Sequence, residues 1–234
     1  DLSFNIDFKN YIQVIRKIKI IKNKKKINIS GIITMGCDVP FIVAKIAKEF
    51  NLTGNSLRSG KISENKFLMK KLFKKVKIST PKYALVKNRS EVIKFWNKYK
   101  CKYIILKPVD NSGSRGVKIV QFFDQIYAAI KIAKKHSISN KILVEEFIEG
   151  PQLSTESILV KKKIFTPGLS YRNYEDVRFF YPNILENGGT TPSKYFKFKH
   201  RVEKMKKKIA TELDLDSGII KGDFVINEKK QLKI

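Results

Sequence analysis

Cysteine and histidine are nearly missing from this sequence: 234 residues hold only Cys37, Cys101, His136 and His200. The four are scattered, which removes any metal-ligand spacing and any disulfide framework, and both cysteines read as reduced fillers. No apolar run of about 18 residues occurs and no charged–apolar–small leader opens the chain, so neither a membrane span nor secretion is supported and the cytoplasm is the expected location. Acid is also scarce, 21 Asp and Glu against 49 Lys and Arg, for a formal charge of +28. That excess invites a nucleic-acid partner, but arginine is rare beside lysine, and the planar guanidinium fork that reads bases and phosphates is mostly lacking. Lysine is spread over every segment, expected core strands included, so the charge reads as compositional drift and argues against nucleic acid as the partner. What is present in quantity is apolar residue, 42% of the chain, enough at this length to bury a sizeable core.

Hydrophobic periodicity predicts alternating elements. A helix is expected over residues 10–21, a basic turn over 22–26 and a β-branched strand over 27–34, after which Asp38 is placed to cap a helix through Phe50. This segment fits the tail of a doubly wound α/β domain. A third helix is expected from Ser63 with Lys66 onward, closed before Pro81. There follow a strand at 83–86, a helix at 90–99, a strand at 103–108, a glycine loop, a strand at 117–120 and a helix at 125–135. Strands at 142–148, 153–160 and 163–169, a basic helix from a Ser193 cap to Leu213, and a hairpin of 219–226 with 231–234 complete the chain. The sequence opens at Asp1 without methionine and stops at Ile234 as a strand begins, as a piece of a longer protein would.

The segment Lys107-Pro-Val-Asp-Asn-Ser-Gly-Ser-Arg-Gly116 carries the most chemistry. A strand delivers a lysine into small residues and glycines, whose backbone can fold N–H groups around a polyphosphate while Ser112 and Ser114 add hydroxyl donors. The segment is not a Walker A loop, which needs Gly-Lys-Ser/Thr opening a helix. Nor is it a dinucleotide fingerprint, because Gly113 and Gly116 precede a β-branched run.

Taken in order, Asn65-Lys66, Ser79-Thr-Pro-Lys-Tyr83, Lys107-Pro108 with its loop, Val144-Glu-Glu-Phe-Ile-Glu-Gly-Pro151 and Gly222-Asp-Phe-Val-Ile226 resemble the ATP-grasp ligases over nearly the whole chain. The likeness is to the branch holding carbamoyl-phosphate synthetase, biotin carboxylase, glycinamide ribonucleotide synthetase and carboxylate-amine ligases. It implies a mixed α/β and α+β architecture. Residues 1–60 would end a preceding α/β domain, 61–144 would form the first ATP-grasp lobe, and 145–234 a second lobe incomplete at its C-terminus.

The resemblance further implies ATP and Mg2+ as cofactors. Lys66 and Lys107 would reach the phosphates, with Ser112, Gly113, Ser114 and Gly116 around them. Glu145, Glu146, Phe147 and Ile148 would form the hinge that reads adenine: Glu145 near the amine, the Glu146 carbonyl and Ile148 N–H on the base edge, and Phe147 packing. Gln152 stands where the family has a glutamate on the ribose hydroxyls, and an amide accepts fewer such bonds than a carboxylate. Asp223 matches the first magnesium carboxylate, and a second would follow Ile234. Lys107 and Arg115 take the catalytic roles in a reaction that activates a small-molecule carboxylate as an acyl phosphate for attack by an amine. Arg172 and Arg178 lie in the segment that bears on the second substrate in relatives, and dimers are common there. Two other readings stay open: bicarbonate activation, as in carboxylases of the same fold, and a nucleotide-binding module without turnover.

Overall fold

The computed structural model describes residues 2–34 and 36–234; Met35, in the turn expected after the 27–34 strand, lies outside them. The described residues form two compact units, divided between Glu64 and Asn65.

The first unit is helical. Helix α1 (Tyr11–Lys25) starts on the Asn10 side chain, which accepts from Gln13 N, and runs through the lysines expected to form a turn, ending at Lys26 in the left-handed region. Helices α2 (Pro40–Glu49) and α3 (Leu57–Ser63) pack closely at Gly60, where a Cβ would sit 2.7 Å from the Phe41 Cα. The strand expected over 27–34 does not form: a β-branched run needs a ladder partner, and this unit pairs no strand among its described residues. The doubly wound character expected of residues 1–60 is therefore not seen in them. Asp38 does not cap α2 either. Proline fills the first helical position, where a missing N–H costs nothing, and Phe41 N donates instead to Glu64 Oε1 at 2.9 Å.

The second unit contains two sheets. Helix α4 (Lys66–Lys75), capped by the Asn65 side chain, leads to β1 (Tyr83–Val86), α5 (Arg89–Tyr99), β2 (Ile104–Pro108), β3 (Lys118–Val120), α6 (Ile126–Lys135) and β4 (Ile142–Glu146). The strands pair antiparallel in the order β1-β4-β2-β3. Period-two alternation assigns their faces. Val86, Ile104, Leu106, Val120, Ile142 and Val144 pack against Val92, Phe95 and Trp96 of α5 and Ile126, Ala129, Ile130 and Ala133 of α6. Trp96 donates its indole N–H to the Cys101 carbonyl at 2.7 Å and stacks edge-on against Phe123. Burial pushes the Cys101 thiol up to about 11, as suits an inert filler. The other face of this sheet carries Lys107 and Glu145.

The second sheet begins with β5 (Gln152–Val160), β6 (Lys163–Phe165), β7 (Ser170–Arg172) and β8 (Gly189–Thr190). Helix α7 (Lys199–Glu212) and the hairpin β9 (Gly218–Ile226) and β10 (Leu232–Lys233) complete it. Its order is β10-β9-β5-β7-β8, with β6 also on β5. Leu153, Phe224, Ile226 and Leu232 meet Val202 of α7 in a second core.

Inside that core lies Lys206, with none of its surface exposed. Its ammonium donates to the carbonyls of Thr155 and Ile220, each at 2.7 Å, and to Ser157 Oγ at 3.1 Å, so all three protons are used and β5 is tied to β9. Gly222 makes room for it, since a Cβ there would stand 3.1 Å from Lys206 Cε. Burial lowers the pKa of Lys206 to about 8 against the attraction of Asp223, Glu156 and Glu203. The unfolded chain holds this proton up to the ordinary lysine value while the folded chain has released it. Stability should therefore rise with pH between about 8 and 10, by a term on the order of 3 kcal/mol if fully developed. Urea denaturation at pH 7.5 and 9.5 measures the rise, and Lys206→Met should make it shallower. An unchanged slope in that variant would show that Lys206 is not the source.

Candidate functional site

The glycine loop between β2 and β3 is anchored at its base and exposed at its tip. Asp110 accepts from Ser137 Oγ, Ile138 N and Ser139 N at 2.7–3.0 Å, and these bonds hold its carboxyl below the ordinary range despite burial. Asn111 Nδ2 donates to the His136 carbonyl at 2.7 Å. Beyond this anchor, Gly113, Ser114 and Gly116 all take positive φ. Their N–H groups donate to no carbonyl among the described residues; Gly113 and Ser114 are exposed, whereas Gly116 is buried. Gly116 is also required sterically, because a Cβ would lie 2.6 Å from the His136 Cβ. Arg115 folds back over the loop onto Asn111 Oδ1 and Ser112 Oγ. Lys66 is brought to the same place: its N–H meets the Val109 carbonyl at 2.8 Å and its ammonium meets the Asn111 carbonyl.

At the other end of the open face, Glu145 is buried between two cations. Its register opposite Ile105 sets it diagonal to Lys107, whose ammonium stands 2.9 Å from Oε2. Lys70 of α4 approaches the same oxygen at 3.4 Å and also donates to the Ile234 carbonyl at 3.0 Å. Burial drives the Glu145 carboxyl upward, but Lys107 and Lys70 together outweigh it and hold the group below its ordinary value. Burial lowers Lys70 to about 8 against the pull of Glu145, so it remains a cation at neutral pH. Glu145 Oε1 is buried without any partner. An orphaned carboxylate oxygen at the end of β4 is an acceptor awaiting a donor, and it fits an exocyclic amine such as that of adenine. The hinge follows at once. Glu146 exchanges bonds with Lys82, Phe147 N donates to Tyr103 O, Phe147 packs its ring against Tyr181, and the Ile148 N–H donates to no carbonyl among the described residues.

The second sheet contributes its face opposite α7. Direct cross-strand pairing sets Ser154 between Asp223 and Ser170, and Gln152 between Val225 and Arg172. Asp223 accepts from Ser154 Oγ at 2.7 Å and faces Arg172 at 3.3 Å, and its side chain is 59% exposed. Arg172 also pairs with Glu186, whereas Arg178 is taken by Glu149 at 2.8 Å. No group of three metal-ligating side chains exists among the described residues. A magnesium ion at Asp223 would draw its remaining ligands from phosphate and water, the ligand set this ion favours.

Lys66, Lys107, Arg115, Ser112, Gly113, Ser114, Gly116 and Glu145 to Ile148 thus lie along the first sheet's loop and hinge, while Gln152 and Asp223 share the open face of the second sheet. Lys70 and Ser154 were missed in the sequence. Lys70 had one signal, its position four residues after Lys66 on the same helix face.

Two antiparallel sheets joined at such a hinge, one bearing a glycine loop and the other an exposed acid, make this an ATP-grasp fold. Residues 64–178, just under half of the chain, match the ATP-grasp (A) domain of phosphoribosylglycinamide synthetase. A D-alanine–D-alanine ligase of Wolbachia pipientis wMel is 33% identical over 108 residues, 46% of this chain and 33% of that protein. Among solved structures, the D-Ala:D-Ser ligase of Enterococcus faecalis aligns at a TM-score of 0.72 with 19% identity over 84% of this chain and 58% of its own. The phosphoribosylglycinamide synthetase of Anaerococcus prevotii aligns at 0.70 with 20% identity over 100% and 56%. The chain spans about a third of the length of the curated relatives it matches.

The hinge generates one prediction. A Cβ on Gly150 would fall 2.0 Å from the Ile226 carbonyl oxygen, so β9 and the hinge must separate to admit it. Gly150→Ala should cost more than about 2 kcal/mol in chemical denaturation, the range of a forced backbone shift. A cost under about 0.5 kcal/mol would mean that the hinge is not held against β9.

Proposed function

We propose that the protein carrying this chain is an ATP- and Mg2+-dependent ligase that joins a carboxylate to an amine. The observation that carries this reading is the buried Glu145 with its unpartnered Oε1, set between the hinge and a lysine that leads into a loop of unpaired N–H groups. The carboxylate oxygen accepts the adenine amine, the Ile148 N–H meets the base edge, and Gln152 lies on the neighbouring strand for the ribose. Lys66, Lys107 and the N–H groups of Gly113, Ser114 and Gly116 neutralise the phosphates, with Arg115 turning from Asn111 and Ser112 toward the γ-phosphate. Magnesium, held by Asp223 and phosphate oxygens, supplies charge neutralisation at the transferred group.

In this scheme a substrate carboxylate oxygen attacks the γ-phosphorus and the bond to the β-phosphate oxygen breaks, giving an acyl phosphate and ADP. An amine nitrogen then attacks the acyl carbon, losing a proton as inorganic phosphate leaves. The protein supplies position and charge, the terms that govern phosphoryl transfer, and no side chain need become covalently attached. The similarity to a D-alanine–D-alanine ligase supports carboxylate–amine chemistry. Small-molecule acid and amine partners, a homodimer and a cytoplasmic location belong to the same proposal. No helix among the described residues is long and apolar enough to cross a membrane.

ADP release by the full-length protein, measured across a panel of amino acids paired with amines, tests the reading. At least one pair should stimulate release, and Lys107→Ala should reduce it by about 100-fold or more, the scale of a lost charge contact to the transferred group. Tight ATP binding without release for any pair would favour the non-catalytic module.

A further inference from the structure

The buried carboxylate at the hinge has one more cation than it needs. Lys107 and Lys70 approach the same oxygen, Oε2, and they differ in setting. The Lys70 side chain is 8% exposed and is tied to the Ile234 carbonyl at the end of β10. The Lys107 side chain is 17% exposed and stands at the entry to the glycine loop, and among the described residues its ammonium pairs with Glu145 alone. A desolvated carboxylate left without a cation costs several kcal/mol, so Glu145 must keep one of the two whatever the nucleotide does. The like charges also repel, and Lys107 adds to the lowering of the Lys70 pKa.

We infer that Lys70 is a positioning residue: it is the standing counter-ion of Glu145, and by holding that carboxylate it releases Lys107 to pair with phosphate. This rests on the nucleotide reading of the site given above. Without Lys70, Glu145 must hold Lys107 permanently, and the phosphates lose their cation although the loop, the hinge and Lys107 itself are intact. The base-reading oxygen, Oε1, is unaffected, because both ammonium groups sit on Oε2. The effect should therefore be confined to the phosphate part of the ligand.

Titration calorimetry of this chain with ATP and with adenosine separates the possibilities. Lys70→Met should weaken ATP by about tenfold or more while changing adenosine by less than about threefold, as expected for one lost charge-assisted contact. Lys70→Arg should bind ATP nearly as the parent does. Neutralising the captor should abolish the effect of Lys70, so adding Lys70→Met to a Glu145→Gln background should change ATP affinity by less than about threefold relative to Glu145→Gln alone. If the methionine variant does not fold, Lys70→Gln, which keeps a donor but no charge, takes its place. A folded Lys70→Met that binds ATP like the parent overturns the inference, as does a Lys70→Met loss that is just as large in the Glu145→Gln background, or an equal loss for adenosine. Lys107→Ala distinguishes the two levels. Parent-like ATP binding by that variant overturns the phosphate role of Lys107 and this inference together, whereas weak ATP binding there beside normal binding by Lys70→Met overturns only the inference.

Discussion

One carboxylate sets the geometry of the open face of the first sheet. Glu145 is enclosed on all sides, and a buried anion of this kind is tolerated only with cations and donors held at fixed distance. Meeting that condition brings together β4, which carries the acid, β2, which carries Lys107, α4, which carries Lys70, and the end of β10, whose carbonyl completes the Lys70 coordination. These elements come from both sheets of the second unit. The requirement of a single charge therefore fixes the hinge strand, the loop strand and the last hairpin relative to one another more tightly than apolar packing alone could. Hydrophobic contacts are non-directional, and they would permit small slides between the sheets that a 2.9 Å ion pair does not.

The strands of the first sheet were readable as short apolar runs between helices whose apolar residues recur at helical spacing, but β1, β2 and β4 are apolar at consecutive positions, so the sequence did not name their faces. The glycine loop was equally legible, since Lys107 and three glycine or serine positions with positive φ are an unusual string between two strands. Other features were hidden for physical reasons. Lys70 and Lys206 read as solvated helix lysines, because a hydrophobic pattern treats every lysine as polar. Only tertiary structure shows that both ammonium groups are inside, with carbonyls and carboxylates around them. The pairs β7 and β8 are too short for a period to register. The 27–34 run shows the opposite error, β-branched residues that propensity assigns to a strand but that meet no partner. Ser193 was expected to cap α7 directly. It accepts from Tyr195 N ahead of a 3-10 turn that it does not cap, and the helix begins six residues later.

The abundance of lysine also looks different once its positions are known. Several ammonium groups lie over aromatic faces, Lys45 above Tyr11 and Lys194 above Tyr171 among them, where the long stems cover apolar surface while the charge stays wet. Two others are structural ties inside the protein. An excess of one charge would ordinarily weaken a compact state through self-repulsion. Here part of that charge is used internally, as a donor to main-chain carbonyls and as a partner to the few acids available.

The chain has a single tryptophan, and its placement has a practical meaning. Trp96 is enclosed in the core of the first sheet, its indole fixed to the Cys101 carbonyl and its ring against Phe123, far in sequence from every strand of the second sheet. Intrinsic fluorescence excited at the indole band is thus a local gauge, blind to whether β5, β9 and α7 stay assembled. Its departure from the ellipticity of the whole chain would reveal whether the two sheets melt together or in turn.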